Sequence, residues 1–109
     1  VIHMAYILDA GKTENFTIEV LDQNGQQILS PIFDSAPAWA QLNTAAQTLT
    51  AAADGLTASA TGLDAGGADT VEMTCSIKGV QFIARMDATV NPAVPVQVAT
   101  TVNIVATPA

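Results

Sequence analysis

Few side chains in this chain have much chemical reach: one histidine, His3, one cysteine, Cys75, and ten carboxylates against three cations. A cysteine nucleophile needs an accessible, electropositive setting and a base to share its proton. Cys75 instead falls between Met73 and Ile77 in a run where apolar residues alternate with Thr74 and Ser76. That position predicts a small, packed hydrophobe rather than a reactive thiol. His3 precedes Met4 in Val1-Ile2-His3-Met4, which reads as a vector-derived leader ahead of a natural start. A Cys–His pair and a Ser-His-Asp triad both lose their base on this reading.

Carboxylate chemistry fares little better. Glycoside hydrolysis needs two carboxyl groups facing each other across a cleft. Here Asp22, Asp34, Asp54, Asp64 and Asp69 all stand among turn-forming residues, where they predict turn formation and solubility. Asp64 and Asp69 bracket Ala65-Gly66-Gly67-Ala68 and are the weak calcium candidates, but the run lacks the density of oxygen ligands a dedicated site supplies. Gly66-Gly67 is followed by neither the lysine nor the helix of a phosphate loop. No cofactor, metal or catalytic residue is expected. Tyr6 and Trp39 are the aromatic residues able to stack on sugar rings; Trp39, behind Pro37, reads as a core anchor. Asn15-Phe16-Thr17 matches a glycosylation acceptor, relevant only to a secreted eukaryotic chain.

With a length of 109 residues and a net charge of −7, the chain fits a single domain, 1–109, that is strongly acidic. An acidic chain has no basic footprint with which to release counterions from nucleic acid, and anionic membrane surfaces repel it. No apolar run approaches the roughly 18 residues of a spanning helix, so neither nucleic acid binding nor membrane insertion is expected. A lone cysteine allows no intrachain disulfide.

The elements that would position these residues are strands. Phe16, Ile18 and Val20 alternate with Thr17 and Glu19, and Asn24-Gly25 predicts a type I′ turn into a return strand over 28–33, kinked or at an edge because of Pro31. From Thr70 to Val90 the alternation is longest: Val71, Met73, Cys75 and Ile77 on one face, a turn at Lys78-Gly79, then Val80, Phe82, Ala84, Met86 and Ala88. Between them, 45–53 has alanine-rich helical propensity, but Thr48 and Thr50 alternate with Leu49 and Ala51, and Asp54-Gly55 closes a hairpin into Leu56, Ala58 and Ala60. Two short strands are expected there. After Pro92 and Pro95, a closing strand is expected over 96–105, with Val96, Val98, Thr100, Val102 and Ile104 on one face. The expected core anchors are Trp39, Phe16, Phe82, Met73 and Cys75; Tyr6, Ile83 and Arg85 form the candidate contact surface. The pattern predicts an all-β, immunoglobulin-like sandwich of two antiparallel sheets with roughly seven to nine strands.

Pro37-Ala38-Trp39, Ala53-Asp54-Gly55-Leu56, Gly62-Leu63-Asp64-Ala65-Gly66 and the final Thr/Val run together resemble bacterial immunoglobulin-like (BIg2-like) domains over 16–105. Among these, the chain is most similar to the small single-domain members encoded by phages and prophages. It departs from them after Trp39, where Gln41-Leu42-Asn43-Thr44 replaces a Ser/Asp-rich loop and a valine-rich strand. The resemblance implies a non-catalytic protein without cofactors that decorates capsids, accompanies tails, or serves in adhesins. It implies a virion location after assembly in the bacterial cytoplasm, or alternatively the bacterial cell surface. The expected partner is a major capsid or tail protein, with a homo-oligomer through an edge strand as a further expectation. A carbohydrate- or host-surface-binding module is the alternative. The length favours the virion reading, since an adhesin module normally sits in a long exported chain and this one reads as complete and leaderless.

Overall fold

The computed structural model describes residues 4–94 and 98–108, so the expectations for His3 and Val96 fall outside the described residues. The strands are β1 (Met4–Asp9), β2 (Thr13–Thr17), β3 (Ala38–Gln41), β4 (Gln47–Ala51), β5 (Thr57–Gly62), β6 (Gly67–Ile77) and β7 (Val80–Asn91). They form one sheet in the order β1-β7-β6-β3 and another in the order β2-β5-β4, stacked as a sandwich. The described residues contain no helix. One part of the expected architecture is corrected: β1 runs parallel to β7, so only the smaller sheet is wholly antiparallel.

The chain passes from one sheet to the other within a few residues. Lys12 N donates to Asp9 O (3.0 Å), closing a turn with Gly11 at φ +80°. Gly11 N then donates to Gly62 O (2.9 Å), and Gly62 N to Lys12 O (3.0 Å). Two residues facing one, with glycine left-handed at the first, make a glycine bulge, and the strand bends there into the second sheet.

The β6–β7 hairpin forms as its alternation predicts, in the register Cys75↔Phe82 and Ile77↔Val80. Lys78 (φ +50°) and Gly79 (φ +77°) both take the left-handed conformation that a two-residue type I′ turn demands. Asp34 stabilises this tight turn from a distance, its carboxylate accepting from Lys78 N (3.0 Å) and Gly79 N (2.8 Å). The short strands β4 and β5 also form, joined through Asp54-Gly55, where Asp54 Oδ1 accepts from Leu56 N (3.0 Å).

Four expectations fail. The segment at 28–33 is not a strand: the hairpin around Asn24-Gly25 ends at an isolated Leu21↔Gln27 bridge and an Ile28 N to Val20 O bond (2.7 Å). Its turn is not type I′, because Gly25 alone is left-handed (φ +78°) while Asp22 Oδ1 gathers Asn24 N and Gln26 N. Among the described residues 98–105, no closing strand forms either. Residues 98–108 are unpaired and exposed, with Ile104 at 99%. Phe82, expected as a core anchor, is 50% exposed. β1 pairs with β7 only over Met86–Asn91, so at Phe82 β7 is the edge of its sheet and stands open, while Cys75, its partner on β6, is buried.

The core lies where the sheets do overlap. Phe16, Ala58, Ala60 and Val71 form one cluster, with Leu8, Ala46 and Val90 a second, and Tyr6 packs against both. Met73 and Cys75 are buried along β6. The small residues of β5 let the sheets approach, and the larger side chains fill the space from the other side. Phe16 stacks on Trp39 (centroids 6.0 Å) and meets Tyr6 at a tilt (5.4 Å), forming an aromatic row that joins β1, β2 and β3.

Trp39 also ties the sheets together through its indole Nε1–H, which donates to Gly55 O (2.8 Å). Beneath this bond the backbone of Gly55 rests on Pro37; a Cβ at Gly55 would lie 2.3 Å from Pro37 O. The two sequence motifs Pro-x-Trp and Asp-Gly-Leu are therefore halves of one clamp. Gly55→Ala combines that collision with a left-handed φ (+71°). It should cost about 2 kcal/mol, on the order of 10 °C in Tm, in thermal or denaturant unfolding. Lys78→Asn should act oppositely, adding about 0.5 kcal/mol in the same assay, since asparagine tolerates the left-handed turn position better than lysine.

Candidate functional site

The densest polar constellation surrounds Asp69, at the end of the sandwich away from the Lys78-Gly79 turn. Asp69 is paired with Ala88 and lies on the same face of β6 as Val71, Met73 and Cys75, which turns its carboxylate into the interior (5% exposed). No cation meets it. Its Oδ1 accepts from Leu42 N (3.1 Å), Asn43 N (2.7 Å) and Thr70 N (2.8 Å). Its Oδ2 accepts from Gln41 Nε2 and Gln47 Nε2, both at 2.9 Å.

Each donor is fixed by its own element. Gln41 ends β3, and its amide also bonds the backbone of β4, donating to Gln47 O (2.9 Å) and accepting from Leu49 N (3.1 Å). Gln47, fully buried, accepts from the Tyr6 hydroxyl through Oε1 (2.9 Å). Asn43 holds the β3–β4 connection by accepting from Ala45 N (3.1 Å) and donating to Ala68 O (2.9 Å). No buried side-chain polar atom among the described residues lacks a partner.

Burial alone would raise the Asp69 pKa, but the donors oppose it and prevail. Hydrogen bonds from Gln47, the Asn43 backbone, Gln41 and the Thr70 backbone hold the carboxyl below its ordinary value. Tyr6 is shifted upward, chiefly by burial and further by the negative charges of Asp69 and Glu14, against its bond to Gln47. Burial likewise raises the Cys75 thiol. A thiol pushed upward is less often thiolate and so a poorer nucleophile.

The candidate residues thus meet different fates. Asp69 is neither a turn carboxylate nor an open ligand, because its lone pairs are taken by N–H groups. Asp64 is exposed in the preceding turn, and among the described residues no three His, Cys, Asp or Glu side chains gather as a metal site requires. Trp39 is half-buried and hydrogen-bonded internally. Tyr6, expected on a contact surface, has its ring against both core clusters and its hydroxyl on a buried amide, a correction that follows from the order of β1. Ile83 and Arg85 lie on the outer face of β7, with Arg85 Nε paired to Glu72 (2.9 Å) on the neighbouring strand. Gln41 and Gln47, which sequence reasoning passed over, are the organising side chains of the cluster.

No family model matches this chain, and no curated protein does. Among solved structures it is similar to an endo-fucoidan hydrolase from glycoside hydrolase family 107, with a TM-score of 0.48 and 13% identity. The alignment covers 84% of this chain and 13% of that one. So slight a likeness to so small a part of a longer protein carries no argument about activity.

Asp69→Asn replaces an acceptor with an amide whose own N–H groups point at donors. It should destabilise the fold by about 2–4 kcal/mol at neutral pH. Because the folded pKa is depressed, the carboxylate's contribution is present above the unfolded value of about 3.9 and is lost as pH falls through the lower folded value. Chemical denaturation at stepped pH should therefore show the wild-type advantage over Asp69→Asn constant at neutral pH and shrinking below about pH 4.

Proposed function

We propose that the chain is an immunoglobulin-like, non-catalytic interaction domain that serves as a phage virion structural protein, either a capsid decoration or a tail-associated module. Strand order supports the immunoglobulin-like part. With β2 to β7 taken as strands B to G, the sheets read B-E-D and C-F-G, and β1 joins G in parallel. Trp39 then falls on strand C, where immunoglobulin domains carry their inward tryptophan. Phe16 on B stacks against it and packs with Val71 on F, filling the space that a B–F disulfide occupies in antibody domains.

One observation carries the interaction role. Asp69, Tyr6 and Trp39 are hydrogen-bonded within the fold and Cys75 is buried, while large apolar side chains stand outside it. Val80 and Phe82 stand exposed on β7, Ile83 on its other face, and Leu29 and Ile32 precede the Asp34 that caps the same turn. Such a collection at one end of a small domain suits protein contact better than a pocket suits a small molecule. A symmetric shell or tail would present many copies of one docking site, and repetition gives avidity without a deep cleft. The acidic surface complements basic patches on such a lattice and keeps free copies apart. Of the two features behind the glycan-binding alternative, Tyr6 and the threonine-rich exposed faces, Tyr6 has its ring and hydroxyl on internal partners, which weighs against that alternative.

Mass spectrometry of purified virions from a source carrying this gene tests the reading. The protein should co-purify in a fixed ratio to the major capsid or tail protein, and Phe82→Asp, at an exposed site, should lower that ratio by about tenfold. Absence from particles would overturn the virion role and move the host-surface alternative to first place.

A further inference from the structure

The segment after β7 has the pattern of a strand and no strand to pair with. Val98-Ala99-Thr100-Thr101-Val102-Asn103-Ile104-Val105 alternates apolar and polar residues over much of its length, yet Val98, Val102, Ile104 and Val105 are 76–99% exposed. Elsewhere the sandwich is one strand short. The four-stranded sheet faces a three-stranded one, and β4 sits against β3 at one side. At the other side the smaller sheet ends at β2, while the inward Tyr6 and Leu8 of β1 already pack against Phe16, Ala46 and Val90.

The edges of the smaller sheet differ in availability. On β4, the outward-facing backbone groups Gln47 O and Leu49 N are already taken by the Gln41 side chain. On β2, the bond from Gly62 N to Lys12 O sets the alternation, so Glu14 and Phe16 turn their backbone groups to β5. Thr13, Asn15 and Thr17 then present theirs to the free edge. This edge contains no proline, lysine or bulge within Thr13–Thr17 to discourage pairing.

Charge favours the same match. Two copies of net charge −7 repel each other over most of their surfaces. The segment 98–108 carries no charged side chain, and Glu14, the carboxylate of β2, stands two residues from Lys12. We infer that residues 98–105 of one copy add as a strand along the free edge of β2 in a second copy, producing a strand-exchanged dimer. The added strand makes each smaller sheet four-stranded and gives the backbone of 98–105 a ladder to pair with. Reciprocal exchange gives a closed two-fold assembly in which each copy donates and accepts one strand. The inference stands independently of the virion role.

Sedimentation of the full chain across a micromolar to near-millimolar series tests it, alongside residue-resolved hydrogen exchange. The expected result is concentration-dependent conversion of the 11.2 kDa chain to twice that mass. The amides of Thr13, Asn15 and Thr17 should become protected in step. Val102→Pro removes a ladder donor from a segment outside the fold, so folding is unaffected while dimerisation should weaken by about tenfold or more. Monomer throughout the series would overturn the inference, as would a dimer indifferent to Val102→Pro. Protection appearing instead at Ala5, Ile7 and Asp9 on the β1 edge, or protection of β2 independent of concentration, would overturn it too.

Discussion

A carboxylate taken from water into a protein interior needs compensation, and Asp69 receives it from oriented amides rather than from a cation. The donors come from β3, from the connection leading to β4, from β4 itself and from the backbone next to Asp69 on β6. Satisfying one buried charge thus fixes the crossing from the larger sheet to the smaller. It also places Gln47 where Tyr6 of β1 can reach it, so the first strand is held by the same network. A buried polar cluster of this kind is stabilising only when complete, since each missing partner leaves a charge or donor stranded in low dielectric. Completeness has a functional consequence. With its acceptors filled, the one buried acid among the described residues has little left to offer a substrate or ion.

The other half of the molecule is organised differently. There the sheets are joined by the contact of Pro37 and Trp39 with Gly55, and the hairpin turn is capped by Asp34. Val80 and Phe82 are exposed because the pairing with β1 stops at Met86 and leaves this part of β7 as the sheet's edge, while Cys75 beside Phe82 on β6 stays buried. The fold therefore divides into a polar-locked end and an end where large apolar side chains stand exposed.

Much of this was legible in the residues. The period-two run through Val71, Met73 and Cys75 gave the central hairpin, and Asp54-Gly55 placed the β4–β5 turn. The same run, followed back two residues, would have put Asp69 on the inner face; grouping it with the neighbouring glycines as a loop concealed that. Alternation assigns a residue to a face but does not say whether a neighbouring strand reaches it, which is why Phe82 has the pattern of a core residue and stands half-exposed. Nor does it supply a partner, which is why 98–105 has a strand's pattern and no sheet. β1 was illegible for another reason: Tyr6 and Leu8 point inward, but Ala5 and Ile7 opposite them are apolar too, so no contrast marks the strand.

The central claim is that oriented amides outweigh desolvation at Asp69 and leave its carboxylate closed to ligands. Carbon-detected NMR titration of the Asp69 carboxyl, with and without added calcium, tests both parts at once. The account predicts a midpoint below the ordinary aspartate value of about 3.9, unchanged by calcium. A midpoint at or above that value, or one that calcium moves, would contradict it.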